Sequence, residues 1–283
     1  MHYLILFNPK SNRGKSNDTV IRCANKLKKN GHTVESGSLL DIKDVGAYLS
    51  NLDKAVKIII IGGDGTLHYL ANALMPFEVV NDLYIVRKAG TGNDFLRSIK
   101  KKEKGSLIRI NDYIKDLPYE LEASGKKRYF INSVGVGLDA YTCYLVGGSI
   151  QGKTQGSYLK SAYKAFKETK KHNITLTIDG VKQEHKNVWL TLVANSSYVG
   201  GGMKISPKSK REDDILEAVV VKNASKFVVF LILPSIYLGF HKIFRKYVKF
   251  YQGKHFILES ELDNYIQYDG EPTYPMKRVE IYR

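Results

Sequence analysis

The residues of this chain that could do chemistry lie in three polar turns. Ile58-Ile59-Ile60-Ile61 runs directly into Gly62-Gly63-Asp64-Gly65-Thr66-Leu67-His68. Asn8-Pro9-Lys10-Ser11-Asn12-Arg13-Gly14-Lys15-Ser16 follows an apolar stretch at Tyr3–Phe7, and Gly90-Thr91-Gly92-Asn93-Asp94 follows another at Leu83–Val86. Glycine lets backbone N–H groups approach a ligand closely, and a helix N-terminus attracts anions, so such turns suit a phosphate. Tight turns in any α/β protein also use glycine, but three glycines around a carboxylate after a buried strand mark where open α/β sheets bind ligands. One crevice lined by Asn8, Ser11, Asp64, Thr66, Gly90, Thr91, Asn93 and Asp94 would have the character of a nucleotide-phosphate site. Lysines would neutralise charge there, and a carboxylate would hold magnesium or orient a proton.

Two commoner phosphate motifs are excluded. The stretch from Pro9 to Ser16 ends like a Walker A loop, but Pro9 stands where the first glycine belongs and offers no N–H. Gly63-Asp64-Gly65 begins like a dinucleotide fingerprint, yet its third glycine is missing and Asp64 would repel a pyrophosphate unless a cation intervened.

The turns need elements to hold them. Tyr3–Phe7 reads as a buried strand, Asp18 as the cap of a helix with Val20, Ile21, Ala24 and Leu27 inward, and Asn30-Gly31 as its end. A strand near Thr33-Val34 and a helix bearing Val45, Tyr48, Leu49 and Leu52 follow. The Ile58–Ile61 run predicts a strand buried on both faces. Leu67, Leu70, Ala71 and Leu74 predict the inner face of a helix. Alternating strands and helices predict an α/β domain with a parallel sheet over 1–106. After the hydrophilic 100–105 connector the pattern turns to period 2. Ile174–Val181 alternates and reaches Asp179-Gly180, a hairpin signal, and strands are expected at Trp189–Val193, Leu216–Val221 and Phe256–Leu258. A helix is expected from Tyr158 through Phe166. The 107–283 half reads as a mainly antiparallel β-sandwich domain.

Composition narrows the partners. In 283 residues, 44 Lys+Arg against 28 Asp+Glu leave +16, which points to a polyanion: nucleic acid, an anionic membrane surface or a phosphorylated substrate. Cys23 and Cys143 are too few for a disulfide scaffold or a cysteine zinc site. The opening Met1-His2-Tyr3 and short strand do not read as a signal peptide, so a cytosolic protein is expected. The run from Phe227 to Phe240 falls short of the ~18 uncharged residues of a spanning helix. Lys242, Arg245, Lys246 and Lys249 follow it. It is either a core helix with a solvated basic end or a surface set against anionic lipid.

In order and spacing, Asn8-Pro9 with Ser11 and Gly14, the Gly-Gly-Asp-Gly-Thr turn and Gly90-Thr91-Gly92-Asn93-Asp94-Phe95 resemble the diacylglycerol kinase catalytic-domain family of lipid kinases. Asn132-Ser133-Val134-Gly135-Val136-Gly137-Leu138-Asp139, Gly200–Pro207 with Asp213-Asp214, and Asp269-Gly270-Glu271 extend the resemblance over nearly the whole chain. The resemblance implies an ATP- and Mg²⁺-dependent kinase acting on a lipid alcohol such as diacylglycerol. Its first domain would be akin to that of NAD kinases and phosphofructokinases, a β-sandwich would follow, and the nucleotide would sit between them. By position, Asn8, Pro9, Lys10, Ser11, Asn12, Gly62, Gly63, Asp64, Gly65, Thr66, Leu67, His68 and Thr91 would surround ATP. Asp64 and Glu271 would be the essential carboxylates, with Glu271 favoured as the base. A structural magnesium would take the Asp214 carboxylate and the carbonyls of Arg211 and Leu216. Asp139 is either a helix cap or a substrate contact.

The chain departs from the family at Lys88, where proline is usual, and at Ile215, where glycine follows the aspartate; a final strand packing back on the first domain is in question. Peripheral attachment at the inner face of the membrane is expected, no nucleic-acid partner, and a homodimer is compatible. The alternatives are a soluble small-molecule kinase such as an NAD kinase, and a nucleotide- or nucleic-acid-binding protein without turnover.

Overall fold

The computed structural model of the chain describes residues 1–14, 16–87, 92–99, 105–147 and 155–283. They divide into two compact units, Met1–Leu117 and Pro118–Arg283.

In the first unit β1 (His2–Phe7), α1 (Ser16–Lys29), β2 (Thr33–Ser38), α2 (Val45–Ser50), β3 (Lys57–Ile61), α3 (Asp64–Leu74), β4 (Leu83–Val86) and α4 (Asp94–Ile99) alternate along the chain. The sheet order is β2-β1-β3-β4-β5, with β5 being Leu107–Arg109; the first four strands are parallel and β5 is antiparallel to β4. The isoleucines of β3 alternate between faces. Ile59 and Ile61 pack with Tyr3, Ile5, Val20 and Leu27 beneath α1, while Ile58 and Ile60 are equally buried on the opposite face. Each such burial contributes about 1.5–3 kcal/mol, which is why a strand at the centre of a two-faced sheet is an unbroken apolar run.

Two expectations are corrected. Helix α1 starts at Ser16, so Asp18 lies within its first turn, where a carboxylate complements the helix N-terminus. Ser16, Thr19, Val20 and Leu27 form its inward face and Ile21 is 58% exposed. The domain boundary lies at 117/118, not 106/107. Strand β5 continues the first sheet, and Asn111 in the following short helix α5 (Asn111–Ile114) fastens it. Its Oδ1 accepts the Leu83 N–H (2.9 Å) and its Nδ2 donates to the Asn81 carbonyl (2.9 Å). A three-residue strand and one side-chain clasp leave no periodic signal.

The second unit contains β6 (Tyr119–Leu121), β7 (Lys127–Tyr129), β8 (Ser133–Gly137), α6 (Leu138–Gly147), α7 (Gln155–Glu168), β9 (His172–Ile178), β10 (Val181–Ala194), β11 (Leu216–Lys222), α8 (Lys226–Leu238), β12 (Val248–Gly253), β13 (His255–Tyr268) and β14 (Glu271–Tyr282). All its strand pairs are antiparallel among the described residues. The long strands β10 and β13 each pair with β9 over their first half and with β8 over their second. Register breaks at Val188/Leu190 and between Glu259 and Ile266 bend them, and the sheet folds into a sandwich-like double layer. Residues two apart along β11 separate the two cores. Leu216, Ala218 and Val220 face the interior shared with Phe256, Leu258 and Ile281; Val219 and Val221 face Leu138 of α6, Ala165 of α7 and Val229, Ile232 and Ile236 of α8. The last strand pairs with β13 and β6, within its own unit.

Candidate functional site

In the first unit the chain leaves β1 toward β2 on one side and leaves β3 toward β4 on the other. The carboxyl ends of β1 and β3, adjacent through Phe7 and Ile61, therefore form the topological switch point of the sheet, where the diverging connections open a crevice. Both leading polar turns start there. The Asn8 N–H extends the ladder to the Ile61 carbonyl (3.1 Å), and its Nδ2 donates to Thr66 Oγ1 (3.4 Å) at the start of α3. Asn8 Oδ1 accepts the Lys10 N–H (3.0 Å), and the Asn8 carbonyl accepts both the N–H (3.0 Å) and the hydroxyl (2.8 Å) of Ser11. The Ser16 hydroxyl closes the loop by donating to the Ser11 carbonyl (2.9 Å). Pro9 and the exposed Lys10 ride on this turn, and Asn12 lies in the single 3-10 turn Ser11–Gly14. The loop is held by its own side chains, which is what keeps it in place without a ligand.

Gly62 is required by space. A Cβ there would lie 2.4 Å from the Thr66 side chain. Gly63 caps α3, and its carbonyl takes the first intrahelical bonds, from the N–H groups of Thr66 (3.0 Å) and Leu67 (3.1 Å). The N–H groups of Asp64 and Gly65 precede those bonds, the usual anion-facing donors of a helix start. Leu67, expected beside the nucleotide, has a buried side chain and a spent N–H; it packs α3 and presents nothing to a ligand. His68 is half-buried one residue further along.

Asp64 is the structural surprise of this rim. Its Oδ2 accepts the Asp94 N–H (3.1 Å) and its Oδ1 the Phe95 N–H (2.9 Å), so one carboxylate seats both first residues of α4. A charge-assisted pair of bonds to a helix N-terminus is a strong restraint. It ties the Gly62–Thr66 turn to the Gly92–Asp94 turn, where Asn93 takes a left-handed φ of 54° and the Arg97 Nε donates to the Gly92 carbonyl (3.1 Å). Asp94 itself is buried. Gly90 and Thr91, also expected at the nucleotide, and Lys88 lie outside the described residues.

In the second unit the equivalent polar corner surrounds the β13–β14 turn. The Asp269 carboxylate accepts three backbone N–H groups, from Ile131 (2.7 Å), Asn132 (2.6 Å) and Ser133 (3.0 Å). Gln267 Oε1 accepts the Gly270 N–H (2.7 Å), and its Nε2 donates to Asp139 Oδ2 (3.2 Å). Asp139, in the first turn of α6, is half-buried, with its Oδ2 set over Gly135, where a Cβ would fall 1.7 Å away. Burial pushes its carboxyl up to about 6, against the opposing hydrogen bond from Gln267. Its Oδ2 braces Gln267 and through it the β13–β14 turn. Glu271, by contrast, stands exposed at the start of β14, and its carboxylate has no side-chain partner among the described residues. Gln267 escaped the sequence reading because nothing in a single strand glutamine signals that both ends of its amide will be used.

The expected structural magnesium does not fit. Arg283 Nε and Nη2 each donate to the Asp213 carbonyl (3.1 Å), and Nη2 also reaches the Arg211 carbonyl (3.4 Å). The same Nη2 pairs with Asp214 Oδ1 at 3.7 Å. The oxygens of this loop thus already surround a cation, the Arg283 guanidinium. The buried Arg211 side chain is bound to the Ile131 carbonyl and Asn132 Oδ1, and Leu216 opens β11 opposite Gly253. Among the described residues no three His, Cys, Asp or Glu side chains gather as metal ligands. With Ile215 in place of glycine the loop serves an internal cation, and no magnesium is assigned to it.

Residues 2–115 match the family described as diacylglycerol kinase catalytic domain, and residues 132–280 match the YegS C-terminal NAD kinase beta sandwich-like domain. The chain is 24% identical over 209 residues to YtlR of Bacillus subtilis (strain 168), which carries the provisional name of a lipid kinase; the alignment covers 66% of this chain and 65% of YtlR. It is 24% identical over 225 residues to the diacylglycerol kinase of the same organism, covering 78% of this chain and 74% of that protein. The chain spans just under two thirds of the length of YtlR and about half (53%) of a Staphylococcus epidermidis relative. A crystal structure titled as a diacylglycerol kinase from Bacillus anthracis str. Sterne superposes over 100% of this chain and 94% of its own, with 20% identity and a TM-score of 0.61, a likeness of fold.

Proposed function

The chain belongs to the diacylglycerol kinase catalytic-domain family, and we propose that it transfers the γ-phosphoryl group of ATP to the hydroxyl of a lipid alcohol, diacylglycerol or a close analogue. Membership makes it a phosphotransferase of the kinase type. The lipid acceptor, the nucleotide and the residue roles are this proposal's own.

The observation that carries the reading is the pair of self-braced turns at the β1/β3 switch point, joined to α4 by Asp64. Phosphoryl transfer asks a protein chiefly for positioning and for donors aimed at developing negative charge. The N-terminus of α3 supplies the Asp64 and Gly65 N–H groups as neutral donors. The Asn8 loop, whose own N–H groups at Asn8, Lys10 and Ser11 are used internally, braces the rim beside them, so little reorganisation is needed to meet nucleotide phosphates. Mg²⁺ arriving with ATP would neutralise phosphate charge. Asp64 holds the Gly92–Asp94 turn in register with Gly62–Thr66, and this positioning work already occupies both its oxygens. Glu271 is the better general base, exposed and free to accept the proton of the acceptor hydroxyl while Asp269 and Gln267 hold the turn before it. The net charge of +16 favours an anionic membrane as the place where the acceptor is met, with the protein attached peripherally.

The test is a radiolabelled-ATP assay of the pure protein with detergent-dispersed diacylglycerol, a sphingoid base, a polyprenol and NAD. Label in a lipid, lost in Glu271→Gln, is the expected result. Label in NAD alone, or ATP consumption with none of the lipids, would overturn the reading.

A further inference from the structure

Helix α8 is apolar on both faces. Val229, Ile232 and Ile236 enter the core against β10 and β11, and opposite them Phe227 (71% exposed), Phe230 (62%), Leu231, Pro234, Tyr237 and Leu238 (68%) form a second stripe open to solvent. The positions 227, 230, 231, 234, 237 and 238 are the i, i+3, i+4, i+7 repeat of one helix face. After the left-handed cap Gly239 the ridge continues with Phe240 and Ile243, the latter 73% exposed. No Asp, Glu, Lys or Arg lies between Lys226 and Lys242. Scattered exposed apolar side chains are ordinary, but a continuous aromatic and aliphatic ridge marks an interaction surface. No described helix is long and apolar enough to cross a membrane.

Cations border the ridge. Lys226 stands at its start, and Lys242, Arg245 and Lys246 flank its far end. Beside that end an open cleft of about 330 Å³ is lined by Lys208, Lys242, Arg245, Phe250 and Gln252, with Glu217. Glu217 is buried and accepts the Ser206 hydroxyl, so the accessible lining is basic.

We propose that α8 and the 240–246 segment form an interfacial anchor. The Phe227–Ile243 ridge enters the headgroup–acyl boundary of an anionic bilayer, and the Lys208–Lys242–Arg245 cleft receives a lipid phosphate. An apolar ridge bordered by cations matches such a surface in both properties. A second copy of the chain matches it less well. Isologous pairing through this face would bring the cations at the two ends of the ridge in one copy toward those of the other. The inference rests on the lipid-kinase reading only for its purpose, since it places the element that holds the enzyme where its acceptor lies.

The test is sedimentation of the full chain with phosphatidylcholine vesicles, with and without phosphatidylglycerol, at low and high salt. Wild type should bind only the phosphatidylglycerol vesicles and be released by salt. Phe230→Asp with Leu231→Asp should weaken binding at least about tenfold at unchanged melting temperature, as both residues already face water. Lys242→Glu with Arg245→Glu should weaken it by a further factor of about fivefold per charge and flatten the salt dependence. Equal binding by wild type and both variants would overturn the proposal. So would a wild-type dimer that the aspartate variant turns to monomer without any vesicle binding. Phosphorylation of detergent-dispersed lipid by a wild type that ignores vesicles would sink the anchor and spare the kinase; α8-dependent vesicle binding with no lipid phosphorylated would do the reverse.

Discussion

Asp64 in the first unit and Asp269 in the second do the same physical work for different ends. Each is an acidic side chain in a glycine-bearing turn, and each spends its carboxylate on backbone N–H groups from a distant part of its own unit: two from α4 for Asp64, three from 131–133 for Asp269. Asp64 thereby locks the Gly62–Thr66 turn to the Gly92–Asp94 turn. Asp269 locks a hairpin whose next carboxylate, Glu271, is left without restraint in solvent. A carboxylate embedded in a motif is thus committed to bracing or left available to a ligand according to whether its oxygens are already used.

Breaking the comparison at Glu271 should give the largest effect. Glu271→Gln should lower kcat about 10²–10⁴-fold, the usual worth of a general base, with little change in KM for ATP or in melting temperature. An equal fall in Asp64→Asn with unchanged ATP KM would reverse the two roles in steady-state kinetics.

Asp139 sharpens the second corner through pH. Its carboxyl sits at about 6 in the fold against the ordinary value near 4, so the fold keeps a proton that the unfolded chain loses in that interval. Stability should therefore fall as pH rises from about 4 to about 6, and above that the full penalty, on the order of 3 kcal/mol, persists. Asp139→Asn should remove this slope and unfold at higher denaturant than wild type at pH 8; parallel urea-midpoint profiles for the two proteins would contradict it.

Asp64→Asn retains one acceptor and turns an NH₂ group toward the other N–H, so a loss of about 1–2 kcal/mol in stability is expected. A raised KM for ATP should accompany it, because the Gly92–Asp94 turn loosens. At Arg283 the same logic runs with the sign reversed, a cation satisfying three oxygens. Arg283→Met should cost about 1 kcal/mol by thermal melting, and chelator should leave the melting temperature of the nucleotide-free wild type unchanged. A chelator-induced drop would restore the magnesium.

Much of the fold was legible because burial sets periodicity. The β3 isoleucines, the 67, 70, 71 and 74 face of α3 and the Asp179-Gly180 hairpin all stand where the pattern put them, and the ordered motifs named the family. Ile21 was misplaced because the inward stripe is completed by the polar Ser16 and Thr19 beside Val20 and Leu27, which leaves Ile21, about 100° around the helix from Val20, facing water. The extension of the first unit to Leu117 was missed because β5 is three residues long. In the candidate site the sequence alone determined which residues are donors, which are glycines and in what order they come, since these follow from composition and turn chemistry. Only the tertiary structure decided that Asp64 is bound to α4, that Gln267 joins Asp139 to Gly270 and that Arg283 fills the cation place. Those pairings join residues up to 128 positions apart, and a hydrogen bond between such residues has no period to leave in the chain.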